Sequence, residues 1–220
     1  MLTGLWPSAS GEQDYALSFD QAREKRVLVI PALFDEANKL RHFTVEVMRR
    51  LDAAGVDCVL PDLPGTNESQ APLHVQTLAS WRAAMEATAR HFSTSHVLAV
   101  RGGAMLDWGG LPGLRYAPVA ASSQLRGMVR AHMLAAKEAG DPVTREELTE
   151  RGLAEGITLA GLDLGAPMFA ALSTGDLPEG KLAEIPQNLL GGPGLWLRAE
   201  PAHDPAQADA LAQLVLERLA

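Results

Sequence analysis

At 220 residues, 47% hydrophobic and 21% charged, the chain is long enough to bury one substantial core and has the composition of an ordinary globular domain. Its 27 acidic and 19 basic residues give a net charge of −8, so nucleic acid is not an expected partner. The single cysteine, Cys58, lies in the apolar run Val56–Leu60; it reads as a buried structural thiol and excludes both an intrachain disulfide framework and a cysteine metal site.

The opening Met1-Leu2-Thr3-Gly4-Leu5-Trp6 lacks the basic region and apolar core of a signal peptide. No apolar run reaches the roughly 20 residues that span a bilayer, so a soluble cytoplasmic protein is expected. Residues 1–25 carry few periodic signals; Asp14–Phe19 is expected to be an edge strand. Val27-Leu28-Val29-Ile30 is continuous and largely β-branched, as in a strand covered on both faces. Pro31 ends it, and a polar loop through Arg41 runs into a helix marked by Val45, Met48 and Leu51 and stopped by Gly55. A second strand, Val56–Leu60, follows, then the turn-rich stretch Pro61–Ser69. A helix is expected from about Val75 to Phe92, then a strand at Val97–Val100.

Beyond Gly109-Gly110-Leu111-Pro112-Gly113, Leu114–Val119 reads as a fourth parallel strand. Ser122 or Ser123 caps a following helix, and Thr144-x-x-Glu147 reads as a capping box. Ile157–Gly161 and Leu182–Ile185 are extended, Ala166–Leu172 is a short helix, and Leu195-Trp196-Leu197-Arg198 is expected to be the last strand. Asp204-Pro205 opens the closing helix, with Leu211, Leu214, Val215 and Leu219 on its core face. Strand–helix alternation of this kind predicts an α/β fold, a mostly parallel sheet with helices on both faces in three αβα layers. Residues 1–220 read as one domain, with 1–25 an N-terminal edge segment and 120–190 a reduced cap or variable region.

The chemistry-bearing stretch is His96–Leu106: a buried strand, a tight turn and the start of a helix. Its Ala99-Val100-Arg101-Gly102-Gly103 has the layout of a nucleophile elbow, G-x-S-x-G, in which a serine stands on a strained turn above the sheet. Arg101 stands at the serine position, and a guanidinium stays protonated and cannot attack a carbonyl. Arg101 reads either as a bidentate partner of Glu36 or Asp62 or as an anion holder at a helix N-terminus. The Gly102-Gly103 pair matches no phosphate loop, and the histidines show no metal-ligand spacing, so no cofactor or metal is expected.

Several motifs coincide in order. Pro61–Ser69 resembles the D-x-x-G-x-G-x-S turn of many α/β-hydrolases, with Asn67 at the second glycine, and the Phe34–Arg41 segment lies where that fold carries its oxyanion loop. Asp35-Glu36-Ala37-Asn38-Lys39, Arg101-Gly102-Gly103-Ala104, Ala160–Leu164 and Gly192-Pro193-Gly194-Leu195-Trp196 resemble more narrowly the second hydrolase-type protein associated with exosortase A systems of exopolysaccharide-producing bacteria. The resemblance spans residues 26–200 and implies an α/β-hydrolase fold and a link to exopolysaccharide processes.

In an open parallel sheet, ligands bind beyond the carboxyl ends of the strands. The candidates there are Arg101, His203 and Glu36 as the chemically active groups, with Phe34, Asn38, Lys39, Asp62 and Gly102 holding a ligand. Asn38 and Lys39 are favoured because a loop can aim them at a cleft. The leading expectation is a hydrolase-like protein without a serine nucleophile that binds an anionic or carbohydrate-related small molecule, or a protein partner. The alternative is an esterase or amidase with another nucleophile and His203 as base. A scaffold filled by an Arg101–Glu36 pair is the third reading, and a homodimer is compatible with all three.

Overall fold

The computed structural model describes residues 2–7 and 13–219. Among the described residues are nine strands: β1 Leu2–Pro7, β2 Gln13–Phe19, β3 Arg26–Ile30, β4 Asp57–Pro61, β5 His96–Val100, β6 Gly113–Tyr116, β7 Ile157–Leu159, β8 Leu162–Leu164 and β9 Ala183–Ile185. Six α-helices join them: α1 Asp35–Ala53, α2 Leu78–His91, α3 Ala121–Glu138, α4 Arg145–Ala154, α5 Ala166–Thr174 and α6 Pro205–Leu219.

Seven strands form one sheet in the order β1-β2-β4-β3-β5-β6-β9. β4, β3, β5, β6 and β9 run parallel, while β1 and β2 are antiparallel additions at one side. The period-2 alternation of strand side chains divides the core in two. Val27 and Val29 of β3 and Leu98 and Val100 of β5 face Phe43 and Met48 of α1 and Leu211 and Val215 of α6. Leu28, Ile30, Val97 and Ala99 face the opposite layer, with Trp81 and Met85 of α2, Leu125 of α3 and Phe169 of α5. Helices therefore cover both faces of the sheet, which explains why the central strands read as unbroken apolar runs.

Three sequence expectations are corrected. The Asp14–Phe19 strand is not at the edge: β2 lies between β1 and β4, and β1 is the edge, anchored by buried Trp6. Leu195-Trp196-Leu197 is a single 3-10 turn rather than the last strand, because Gly192-Pro193-Gly194 breaks the chain just before it. The strand that ends the sheet beyond β6 is instead the three-residue β9. Finally, α1 begins at Asp35, so the polar stretch through Arg41 is helix and not loop.

Candidate functional site

The turn after β5 is built by close approach. A Cβ on Gly103 would lie 2.4 Å from the Pro31 carbonyl oxygen and 2.9 Å from that of Ile30, so only glycine lets the turn sit against the end of β3. A Cβ on Gly102 would meet the Gln124 side-chain oxygen at 2.4 Å, the end of a flexible side chain of α3. Buried residues 101–106 form 3-10 turns rather than a full α-helix.

Strain gathers at the carboxyl ends of the central strands. Phe34 after β3, Arg101 after β5 and Ala117 after β6 have φ of 57°, 53° and 42°, in the left-handed region that non-glycine residues rarely adopt. Such strain persists only where the surroundings over-determine it, and it concentrates at functional sites.

Arg101 is the hub that over-determines it. Its Nε donates to Glu36 Oε2 at 3.0 Å and its Nη2 to Glu36 Oε1 at 2.9 Å, a bidentate fork, while Nη1 donates to the Ala117 carbonyl at 2.6 Å. The guanidinium carbon lies 3.7 Å from the centroid of the Trp196 ring, a cation–π contact. Arg101 thus ties together the segments that follow β3, β5 and β6 and the 3-10 turn carrying Trp196. Glu36 lies in the first turn of α1, where a carboxylate also complements the helix dipole. Gln124 Nε2 reaches Glu36 Oε2 at 3.5 Å, and Gln124 Oε1 is buried without a partner.

A cleft of about 420 Å³ opens beside this hub. Leu33, Phe34, Val119, Met128, Trp196 and Leu197 give it apolar walls. Asp35, Glu36, Arg101, Ser123 and Gln124 give it polar ones, and Gly127 of α3 leaves one wall bare. Pockets of this kind, apolar with a few placed polar groups, are typical of small-molecule sites.

The remaining sequence candidates lie elsewhere. Asn38 is exposed in the opening turns of α1, and Lys39 is paired with Asp35 at 2.7 Å; neither lines the cleft, because the helix that replaces the expected loop fixes their direction. Asp62 is buried and accepts from Arg41 Nη1 at 2.8 Å and Asn67 Nδ2 at 3.0 Å, organising the turn after β4. The His203 ring stacks on His42 of α1 at 4.7 Å between centroids, and its Nδ1 is buried without a partner. It also shares the field of Glu46, whose carboxyl is held below its ordinary value mainly by a hydrogen bond from Arg50, with the charges of Arg49, Arg50 and His203 adding less. Among the described residues, the hydroxyl bonded to a histidine ring is Ser95, 2.9 Å from His96 Nδ1, at the amino ends of the strands and remote from the cleft. No group of three or more His, Cys, Asp or Glu among the described residues is placed to hold a metal ion, and no helix there is long and apolar enough to cross a membrane.

Sequence reasoning named Arg101, Glu36, Phe34 and Gly102 but missed Trp196, Ala117 and Gln124. Trp196 stands in a motif of the resemblance but is expected in a strand rather than beside Arg101, while a backbone carbonyl and a mid-helix glutamine carry no motif.

Comparison with known proteins gives no matching family model and no matching curated protein. Solved structures do match. The chain is similar over 100% of its length to 100% of mouse alpha/beta hydrolase domain-containing protein 10, with a TM-score of 0.61 and 11% identity. It is similar over 99% of its length to 99% of a bottromycin epimerase in complex with bottromycin A2, with a TM-score of 0.55 and 15% identity. A thermophilic esterase from Thermogutta terrifontis, with malate bound, matches over 100% of this chain and 98% of its own, with a TM-score of 0.52 and 12% identity. The chain has the α/β-hydrolase fold. At these identities the likeness concerns the fold alone, and fold does not set chemistry. In the α/β-hydrolase fold the turn after the central strand is the nucleophile turn; here that turn carries Arg101.

Proposed function

We propose that this α/β-hydrolase-fold protein is a non-hydrolytic binder of a small, uncharged, hydroxylated ligand of carbohydrate-related type, held in the cleft beside Arg101. The observation that carries this reading is the state of Arg101. It stands in the turn after β5, and its Nε, Nη1 and Nη2 are all engaged, by the Glu36 carboxylate and the Ala117 carbonyl. A guanidinium supplies no nucleophile, and this one is already neutralised by Glu36, which favours an uncharged ligand over an anion. Asp35 is likewise committed to Lys39 at 2.7 Å. The cleft then offers aromatic and aliphatic faces for C–H surfaces, with Gln124, Ser123 and Glu36 to meet hydroxyl groups. The resemblance to exosortase A-associated proteins supports a carbohydrate-related ligand and a link to exopolysaccharide processes.

The test pairs binding with turnover. Neutral mono- and oligosaccharides are screened against the purified protein by saturation-transfer NMR, beside Gly127→Trp. A Cβ at Gly127 meets nothing within 4 Å, so the indole can fill the cleft with little strain on the fold. The expected result is saturable binding that Gly127→Trp abolishes, with no hydrolysis of short-chain acyl esters above the uncatalysed rate. Ester turnover by the wild type, or binding untouched by Gly127→Trp, overturns the reading.

A further inference from the structure

At the opposite end of the sheet a second groove, about 220 Å³, crosses the amino ends of β3, β5, β6 and β9 beneath the last turn of α6. Its floor is apolar, with Val27, Val97, Leu114 and Val215. Its polar side chains are Lys181, which precedes β9, Arg218 of α6, and His96 of β5; no acidic side chain among the described residues lines it. This is unusual in a chain with 27 acidic residues and a net charge of −8. Neither Lys181 nor Arg218 has a carboxylate within ion-pair distance among the described residues, and the nearby Glu184 is spent on Arg115 at 3.5 Å. The carbonyl end of α6 contributes partial negative charge, which Arg218 in its last turn offsets. Lys181 is then surplus positive charge at the groove. The Ser95 hydroxyl, 2.9 Å from His96 Nδ1, fixes the imidazole and leaves Nε2 for another partner. Burial, and secondarily the charge of Lys25, hold that imidazole below its ordinary value, so it enters as a neutral hydrogen-bonding group.

We infer that this groove is a second ligand site, separate from the cleft beside Arg101, that takes a small organic anion: a carboxylate or phosphate held by Lys181 and Arg218, with an apolar body seated on the strand ends. The groove is below the roughly 300 Å³ of a typical drug-sized pocket, which limits the ligand to fragment size.

Phenyl phosphate and its uncharged analogue benzyl alcohol are titrated by isothermal calorimetry into the wild type, Lys181→Gln, Arg218→Gln and Gly127→Trp. Lys181 and Arg218 are exposed, so the glutamine variants leave the core intact, which circular dichroism checks. The expected result is saturable binding of phenyl phosphate only, weakened about tenfold by either glutamine variant and further by added salt, and unchanged in Gly127→Trp. Absence of saturable binding, wild-type affinity in both glutamine variants, or loss in Gly127→Trp each overturns the inference. Because Gly127→Trp blocks only the cleft, failure here is distinguishable from failure of the sugar-binding reading.

Discussion

Arg101 and Glu36 are only 11% and 19% exposed at their side chains, so each is the other's main replacement for water. Removing one partner leaves a largely desolvated charge, whereas removing both leaves an apolar contact; the two changes differ in sign of coupling. Arg101→Met is expected to lower unfolding stability by about 2–3 kcal/mol in urea titrations, since Glu36 loses its fork and Trp196 loses its cation. Adding Glu36→Leu to that variant is expected to restore stability rather than subtract further. Strictly additive losses in the cycle would show that the pair is not the hub of the site. Two of the strained positions point the same way, because the Arg101 side chain reaches the carbonyl of Ala117 while both residues hold positive φ.

Elements meet at the site through contacts that differ in how far they can yield. Gly103 faces backbone carbonyls of β3 and its exit, and Gly102 faces the tip of Gln124. Gly103→Ala is therefore expected to cost about 2–3 kcal/mol, because sheet and turn must separate, while Gly102→Ala stays within about 1 kcal/mol as Gln124 swings aside. Equal losses in thermal or chemical unfolding would contradict this difference. A second element-level test concerns α4. Thr144 and Glu147 form a reciprocal capping box, with Glu147 Oε2 accepting from the Thr144 backbone N–H at 2.8 Å. That hydrogen bond, then the Thr144 hydroxyl, holds the Glu147 carboxyl below its ordinary value near 4.5. A depressed carboxyl contributes stability that is present above its unfolded-state value and lost as pH falls through the folded one. Local protection of α4 amides from hydrogen exchange is expected to fall in that acidic window, and Glu147→Gln is expected to remove that pH dependence. An unchanged profile in Glu147→Gln would place the titrating group elsewhere.

At the scale of the whole molecule, the α/β layering was legible because β3, β4 and β5 are buried on both faces and their apolar runs alternate with helical spacing. The ends of the sheet were less legible. β9 has three residues, too few to show a period, and the Leu195-Trp196-Leu197 run imitates a strand although its residues face different surroundings. In the site, the sequence left Arg101 either paired with Glu36 or Asp62 or holding an anion, and the choice of Glu36, like the arrival of Trp196 and Gln124, comes through tertiary packing. The position of His203 follows from the same packing and sets the last prediction. The α/β-hydrolase fold alone would suggest that Arg101→Ser restores an esterase. In this chain the His203 ring is stacked on His42 of α1, with its Nδ1 unpartnered, and His203 is not among the residues lining the cleft. A serine at position 101 would therefore lack an imidazole base, and Glu36 would lose its fork beside it. Arg101→Ser is expected to stay at the uncatalysed rate against short-chain acyl esters, and His203→Ala in that background is expected to change nothing. Ester hydrolysis appearing in Arg101→Ser and vanishing with His203→Ala would mean that the last turn and α6 rearrange to bring the imidazole into the cleft, leaving residue 101 as the one obstacle to catalysis.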